Sequence, residues 1–282
     1  MTGDLHCHTK LSDSSMGIDD LIVLAKARGV ETISITDHDC QAGNTRGKII
    51  GARRGITVIP GVELSALDGA RDKCADILCY YTDSPDRLEG LCHKNITARK
   101  RASQYMALKV AKRYPITTEL VVKCAAGATC VFIEHIMHAL MECGITDRIH
   151  SPLFDELFSP ESEDNVLVKP RFSEPAEVLA AIHDAGGIAV LAHPGQDSND
   201  ALLSELVDLG LDGVEIWTPL HDENAVQKYF DFAQEHHLLM TGGSNFHGMY
   251  GRAVSPGDYL TPAENMKALS GYKAMLKKSG RK

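Results

Sequence analysis

The stretch EPAEVLAAIHDAGGIAVLAHP, residues 174–194, decides the fold class. Residues 174–187 space their apolar side chains as one helix face does and stop at a glycine pair. Residues 188–194 run apolar without a break, as a buried strand does, and end on His193. The segment is one helix followed by one strand with a polar residue at its far end. The same step recurs downstream. NDALLSELVDLG (199–210) reads as a helix and LDGVEIWTP (211–219) as a strand. DENAVQKYFDFAQEHH (222–237) and LLMTGGSNFHG (238–248) repeat the pair, and a last helix covers roughly 262–278.

Upstream the order is strand first. Residues 2–6 form a strand, IDDLIVLAKARG (18–29) a helix ending at Gly29, and ETISITDHD (31–39) a strand. A weaker helix spans 41–55 and a strand spans 56–67, ending near Glu63. After the turn DGARD comes another strand, KCADILCYY (73–81). This makes roughly seven strands, most followed by a helix, and predicts an α/β fold with a parallel sheet, open or closed into a barrel. From 86 to 158 the pattern is helical, so a helical insert over 86–168, acting as a lid, divides the barrel into 1–85 and 169–282.

Composition narrows the function classes. The 282 residues carry a net charge of -9, which argues against binding along a nucleic-acid backbone. No apolar run approaches the ~20 residues of a membrane helix, so no membrane partner is expected. His6 comes too early to leave room for a signal peptide. Eight cysteines are scattered without a C-x-x-C pair and read as reduced thiols in a cytoplasmic protein.

The histidines, aspartates and glutamates cluster at the ends of the predicted strands. His6, His8 and Asp13 follow the first, and Asp37 and His38 the second. Glu63 ends the third, Asp76 lies in the fourth, His193 ends the fifth, and Asn245 and His247 follow the last. Active sites of α/β sheets and barrels sit at that edge. Singly these residues are unremarkable: H-x-H on a strand serves packing as readily as ligation. His93, His138, His183, His221, His236 and His237 read as surface or helix positions. The recurrence at equivalent edges carries the argument. Imidazole mixed with carboxylate suits zinc, manganese or iron better than calcium. The set is too large for one ion, and paired metals clamp phosphoryl oxygens for in-line attack.

DLHCHTKLSD (4–13), ITDHD (35–39), PGVELSA (60–66), AGGIAVLAHP (185–194) and GGSNFHG (242–248) resemble, in order and spacing, the polymerase and histidinol phosphatase (PHP) phosphoesterases. The insert resembles that of the branch acting on small nucleotides and cyclic phosphates. The resemblance implies a distorted (β/α)7 barrel and two or three divalent metals, manganese foremost, with iron or zinc as alternatives. It implies that His6, His8, Glu63 and Asn245 bind one metal, and Asp13, His38 and His247 a second. A third would share Glu63 and add His193 and Asp76, while Asp37 would orient a ligand histidine.

Three positions depart from the family pattern. Asp76 stands where histidine is usual, and Asn245 where aspartate is usual. Asparagine can offer an oxygen to a metal but cannot act as a base. In the insert, His135 matches a phosphate-binding histidine, whereas Ile133 holds the place of an arginine. Arg99, with His135, Arg148 and Lys169 behind it, is the expected phosphate-binding set, and His193 and Asn245 are the expected catalytic positions. The implied activity is metal-dependent hydrolysis of a small phosphorylated metabolite, with a ribose 1,2-cyclic phosphate favoured. A nucleoside mono- or 3′,5′-bisphosphate phosphatase, a short-oligonucleotide exonuclease, and a catalytically degraded metal-binding module are the alternatives.

Overall fold

The computed structural model describes residues 1–196 and 198–279. Its strands are β1 (Gly3–Cys7), β2 (Thr32–Ile35), β3 (Thr57–Asp68), β4 (Lys73–Tyr80), β5 (Ile188–Leu191), β6 (Gly213–Trp217) and β7 (Leu239–Gly242). They lie side by side in chain order. A bridge from Cys7 to Phe246, with His8 N–H donating to the Phe246 carbonyl at 2.9 Å, brings the last edge back to the first. The result is a nearly closed seven-stranded barrel.

The expected all-parallel order fails at one strand. β4 runs antiparallel to both β3 and β5, while the other pairings are parallel. Only residues 69–72 separate β3 from β4. A parallel crossover needs a dozen residues or more, so so short a link can only make a hairpin. β3 also runs on past Glu63 to Asp68, which places Glu63 mid-strand rather than at a strand end.

Helices α1 (Ile18–Ala27) and α2 (Gly43–Arg54) cover the β1–β3 side, and α7 (Pro175–Asp184), α8 (Asp200–Asp208) and α9 (Glu223–Glu235) the β3–β6 side. Strand alternation sorts the side chains. Ile77, Cys79, Ala189 and Leu191 pack outward with Val178 and Ile182 of α7. Leu78, Tyr80, Ile188 and Val190 face the opposite way, where α10 (Ala263–Ser279) contributes Met266 and Leu269. Full burial of each such aliphatic side chain stabilises the fold by about 2 kcal/mol relative to exposure.

The segment between β4 and α7 folds into α3 (Glu89–Arg113), α4 (Thr118–Cys124), α5 (Ile133–Glu142) and α6 (Pro152–Phe158). These helices share a core of their own, including Met106, Val110, Ile136, Leu140 and Leu157. Tyr250, from the loop after β7, joins it. Among the described residues no helix is long and apolar enough to cross a membrane, and no disulfide links the cysteines.

Candidate metal centre

β1 delivers its histidines by alternation. Asp4 and His6 share one face of the strand, and His8 follows just beyond its end. Gly243 allows the loop after β7 to pass against them. A Cβ there would meet the His6 backbone nitrogen at 2.3 Å. β2 ends before His38, and β3 turns Glu63 inward opposite the outward Val62 and Leu64. His193 and Asn245, each just past a strand, have φ of +25° and +46°. A left-handed backbone costs a non-glycine residue on the order of 1–3 kcal/mol and clusters at functional sites.

The side chains converge tightly. Glu63 Oε1 lies 3.2 Å from His6 Nε2 and 3.2 Å from His193 Nε2. Its Oε2 lies 3.2 Å from His8 Nε2 and 3.3 Å from His38 Nδ1. Asp13 stands 3.5 Å from His8, 3.6 Å from His38 and 3.3 Å from His247. Asp76 is 3.9 Å from His38. Asn245 Oδ1 accepts from His247 Nε2 at 2.9 Å. Among the described residues, four overlapping trios could each surround an ion: His6–His8–Glu63, His8–Asp13–His38, His38–Glu63–Asp76 and His6–His193–Glu215.

The grouping differs from the expected one in detail. His8 also sits with Asp13 and His38, and His247, 3.3 Å from Asp13 as expected, stacks on His8 with ring centroids 4.1 Å apart. His193 groups with His6 and Glu215, and Asp76 with His38 and Glu63.

The unused atoms of these residues bear on whether they suit a metal. His6 Nε2, His8 Nε2, His38 Nδ1 and Asp13 Oδ1 are buried and accept or donate no hydrogen bond. Buried polar atoms are nearly always satisfied. Three orphaned imidazole nitrogens and one orphaned carboxylate oxygen, gathered around Glu63 and Asp13, fit divalent cations. Charge agrees. Burial, against the pull of Glu63 and Asp13, lowers His38 to about 3 and leaves it neutral. Burial opposes ionisation of Glu63, but the His6 charge and the hydrogen bonds from His193 and His6 outweigh it and hold the carboxyl well below its usual range. Burial, then the Glu63 charge, pushes Asp76 up to about 7.

Glu215, on β6, is the residue that sequence reading missed. Its Oε1 accepts from His6 Nδ1 at 2.9 Å, and its Oε2 accepts the His193 backbone N–H at 3.0 Å. Holding the Nδ1 proton leaves the His6 Nε2 lone pair available to a cation. Asp37 does not touch a ligand histidine. It accepts from Thr9 N–H, Thr9 Oγ1 and Ser12 Oγ, each at 2.7 Å, and Ser12 Oγ lies 3.5 Å from His8 Nδ1. The aspartate thus braces the loop that carries His8.

A cavity of about 1160 Å³ opens over the cluster, roofed by α3, α5 and α6. Arg99 borders it, with its guanidinium 4.8 Å from the rings of both Phe132 and Phe172. Lys169 borders it too, bonded to the Asp72 carboxylate at 2.6 Å. Ile133 and Glu134 form part of the wall where an arginine was expected. Two expected phosphate ligands lie elsewhere. His135 is 2% exposed within the insert, where Nδ1 accepts the Phe132 N–H at 3.0 Å and caps α5. Arg148 points to solvent beside Asp147. His221, expected at the surface, is buried: Nδ1 donates to the Ile216 carbonyl, and Nε2 accepts the Gly195 N–H behind His193.

The chain is similar to known phosphoesterases along nearly its whole length. A phosphoribosyl 1,2-cyclic phosphate 1,2-diphosphodiesterase of Eggerthella lenta is 30% identical over 265 residues, covering 93% of this chain and 100% of that protein. A 3′,5′-nucleoside bisphosphate phosphatase of Chromobacterium violaceum is 27% identical, covering 92% of each. A crystal structure from Bifidobacterium adolescentis, assigned as a metal-dependent phosphoesterase, superposes with a TM-score of 0.87 at 27% identity, over 95% of this chain and 94% of that one. The PHP domain profile matches residues 4–154, and with these relatives spanning nearly the whole length the chain belongs to the PHP family of metal-dependent phosphoesterases.

Proposed function

We propose that this hydrolase acts on a small phosphorylated metabolite, with a ribose 1,2-cyclic phosphate as the favoured substrate, at a centre of two or three divalent metals. The observation that carries the reading is the set of four orphaned buried atoms around Glu63 and Asp13. His6, His8, Asp13, His38, Glu63, Asp76, His193, Asn245 and His247 are the residues we assign to hold the ions, shared among the overlapping trios described above. Manganese, iron or zinc there supplies Lewis acidity toward phosphoryl oxygens and lowers the pKa of a coordinated water toward ~7.

The chain's own residues do the rest. Glu63 spans neighbouring ligand trios and keeps them in register. Arg99, stacked between two phenylalanines, offers a rigid planar cation to a phosphate in the cavity. Lys169 and Arg252 border the same space and add positive charge for a distal phosphate. His193 borders the cavity beside Glu63, in reach of a leaving oxygen that needs a proton. The resemblance to the Eggerthella lenta diphosphodiesterase over its full length supports the cyclic substrate. The net charge of -9 favours a small substrate over long nucleic acid.

One observation favours a second reading. Phe154 and Phe172, half-buried, border the cavity and offer aromatic surface against which a base could pack. A nucleoside mono- or bisphosphate would use them. Steady-state assays of manganese-, iron- and zinc-loaded protein separate the two. The expected result is the highest kcat/KM on a ribose cyclic phosphodiester. Higher kcat/KM on nucleoside phosphates moves the assignment to the second reading, and no turnover on any phosphoester overturns both.

A further inference from the structure

Ser65 and Asp76 face each other across the antiparallel β3/β4 pair. Directly opposed residues project from the same face of a sheet. Ser65 Oγ donates to Asp76 Oδ1 at 2.8 Å. The same hydroxyl oxygen lies 2.6 Å from an Arg99 NH2 nitrogen. A guanidinium has donors and no acceptor. Ser65 must therefore accept from Arg99 and direct its one proton to Asp76, so the polarity of the chain of bonds is fixed.

Arg99 is itself pinned. Asp39 Oδ2 accepts from it at 3.2 Å, and two phenylalanine rings hold its plane. One turn earlier on α3, Asn95 donates to Asp39 Oδ1 and to the Ser65 carbonyl, both at 2.7 Å. Positions four apart lie on one helix face. That face of the insert thus holds both the side chain and the backbone of Ser65. Asp39 is fully buried with φ of +52°, a conformation maintained only where its surroundings demand it.

We propose that Ser65, oriented by Arg99, is the positioning residue that fixes Asp76 as a metal ligand in the His38–Glu63–Asp76 trio. This rests on the metal-centre reading above. An aspartate carboxylate turns about two torsions, and the Ser65 bond selects one orientation. The insert helix α3 and the ion at that trio then stabilise each other. Ligand-orienting partners of this kind typically contribute 10- to 100-fold in metal affinity.

The test compares parent protein, Ser65→Ala and Ser65→Thr, each folded by circular dichroism. All three are loaded with manganese and examined by elemental analysis and calorimetric titration. The expected result is that Ser65→Ala loses one ion per chain, or binds it at least tenfold more weakly, while its other ions stay. Ser65→Thr, which keeps the hydroxyl, restores it. Equal stoichiometry and affinity in Ser65→Ala, or weakening spread over every ion, overturns the proposal. A parent protein that binds no metal overturns the metal-centre reading along with it.

Discussion

Glu215 Oε1 lies 2.9 Å from His6 Nδ1, joining two residues 209 positions apart. The second oxygen of the same carboxylate accepts the His193 backbone N–H. One side chain thus orients a candidate ligand on β1 and the backbone of another after β5. In Glu215→Gln only one of these acceptors survives, because the amide nitrogen is a donor. Metal affinity is expected to fall by about 10- to 100-fold, read by titration of metal into the chelated protein. Unchanged affinity would remove Glu215 from the site.

Asn245 supplies an amide oxygen to His247 where the family usually carries an aspartate. Its φ of +46° is one that Asp and Asn both tolerate better than most side chains. Asn245→Asp adds a charge next to the ligand set without changing shape. Its kcat/KM on the preferred phosphoester is expected to equal or exceed that of the parent. A loss of activity in a correctly folded variant contradicts this assignment.

His135 gives the insert a pH dependence of its own. Burial lowers its pKa to about 4. The unfolded chain takes up a proton near 6.5, the folded chain only near 4, so stability falls as pH drops through that window. The loss is at most about 3 kcal/mol. His135→Gln can still accept the Phe132 N–H from the third helical position of α5 but has no titrating ring. Denaturant titrations between pH 7 and pH 4 should show a shallower decline in the variant. An identical decline would place the acid sensitivity elsewhere.

Gly243→Ala tests the closure of β7 against β1. The added methyl would fall 2.3 Å from the His6 backbone nitrogen, so backbone must move. Destabilisation of about 3 kcal/mol or more is expected, together with weaker metal binding. A parent-like Tm would show that the two loops can separate freely.

The strand-edge clustering of His6, His8, His38, His193 and His247 was legible in the sequence because each β/α unit leaves its polar end at the same rim, whereas Glu63 lies mid-strand. Glu215 was missed because a lone glutamate in LDGVEIWTP reads as an outward residue. The signal was present: Val214 and Ile216 pack outward with α9, so alternation turns Glu215 into the barrel. The direction of β4 was missed in the same way, although the turn after β3 is too short for a crossover. The insert was harder. His135 and Arg148 lie on segments whose facing depends on how four helices share a core, and spacing alone does not fix that. Asp37 reaches His8 only through Ser12, a contact that depends on the turn at residues 9–13.

The central claim is that the cluster around Glu63 holds the metals on which hydrolysis depends. The most direct measurement is metal content together with turnover of an aryl phosphate diester, before and after chelation, in the parent and in Glu63→Gln. The account predicts two or three ions per chain, activity lost on chelation and restored by manganese, and a folded Glu63→Gln protein lacking both metal and turnover. Full activity in the chelated parent, or in metal-free Glu63→Gln, would contradict it.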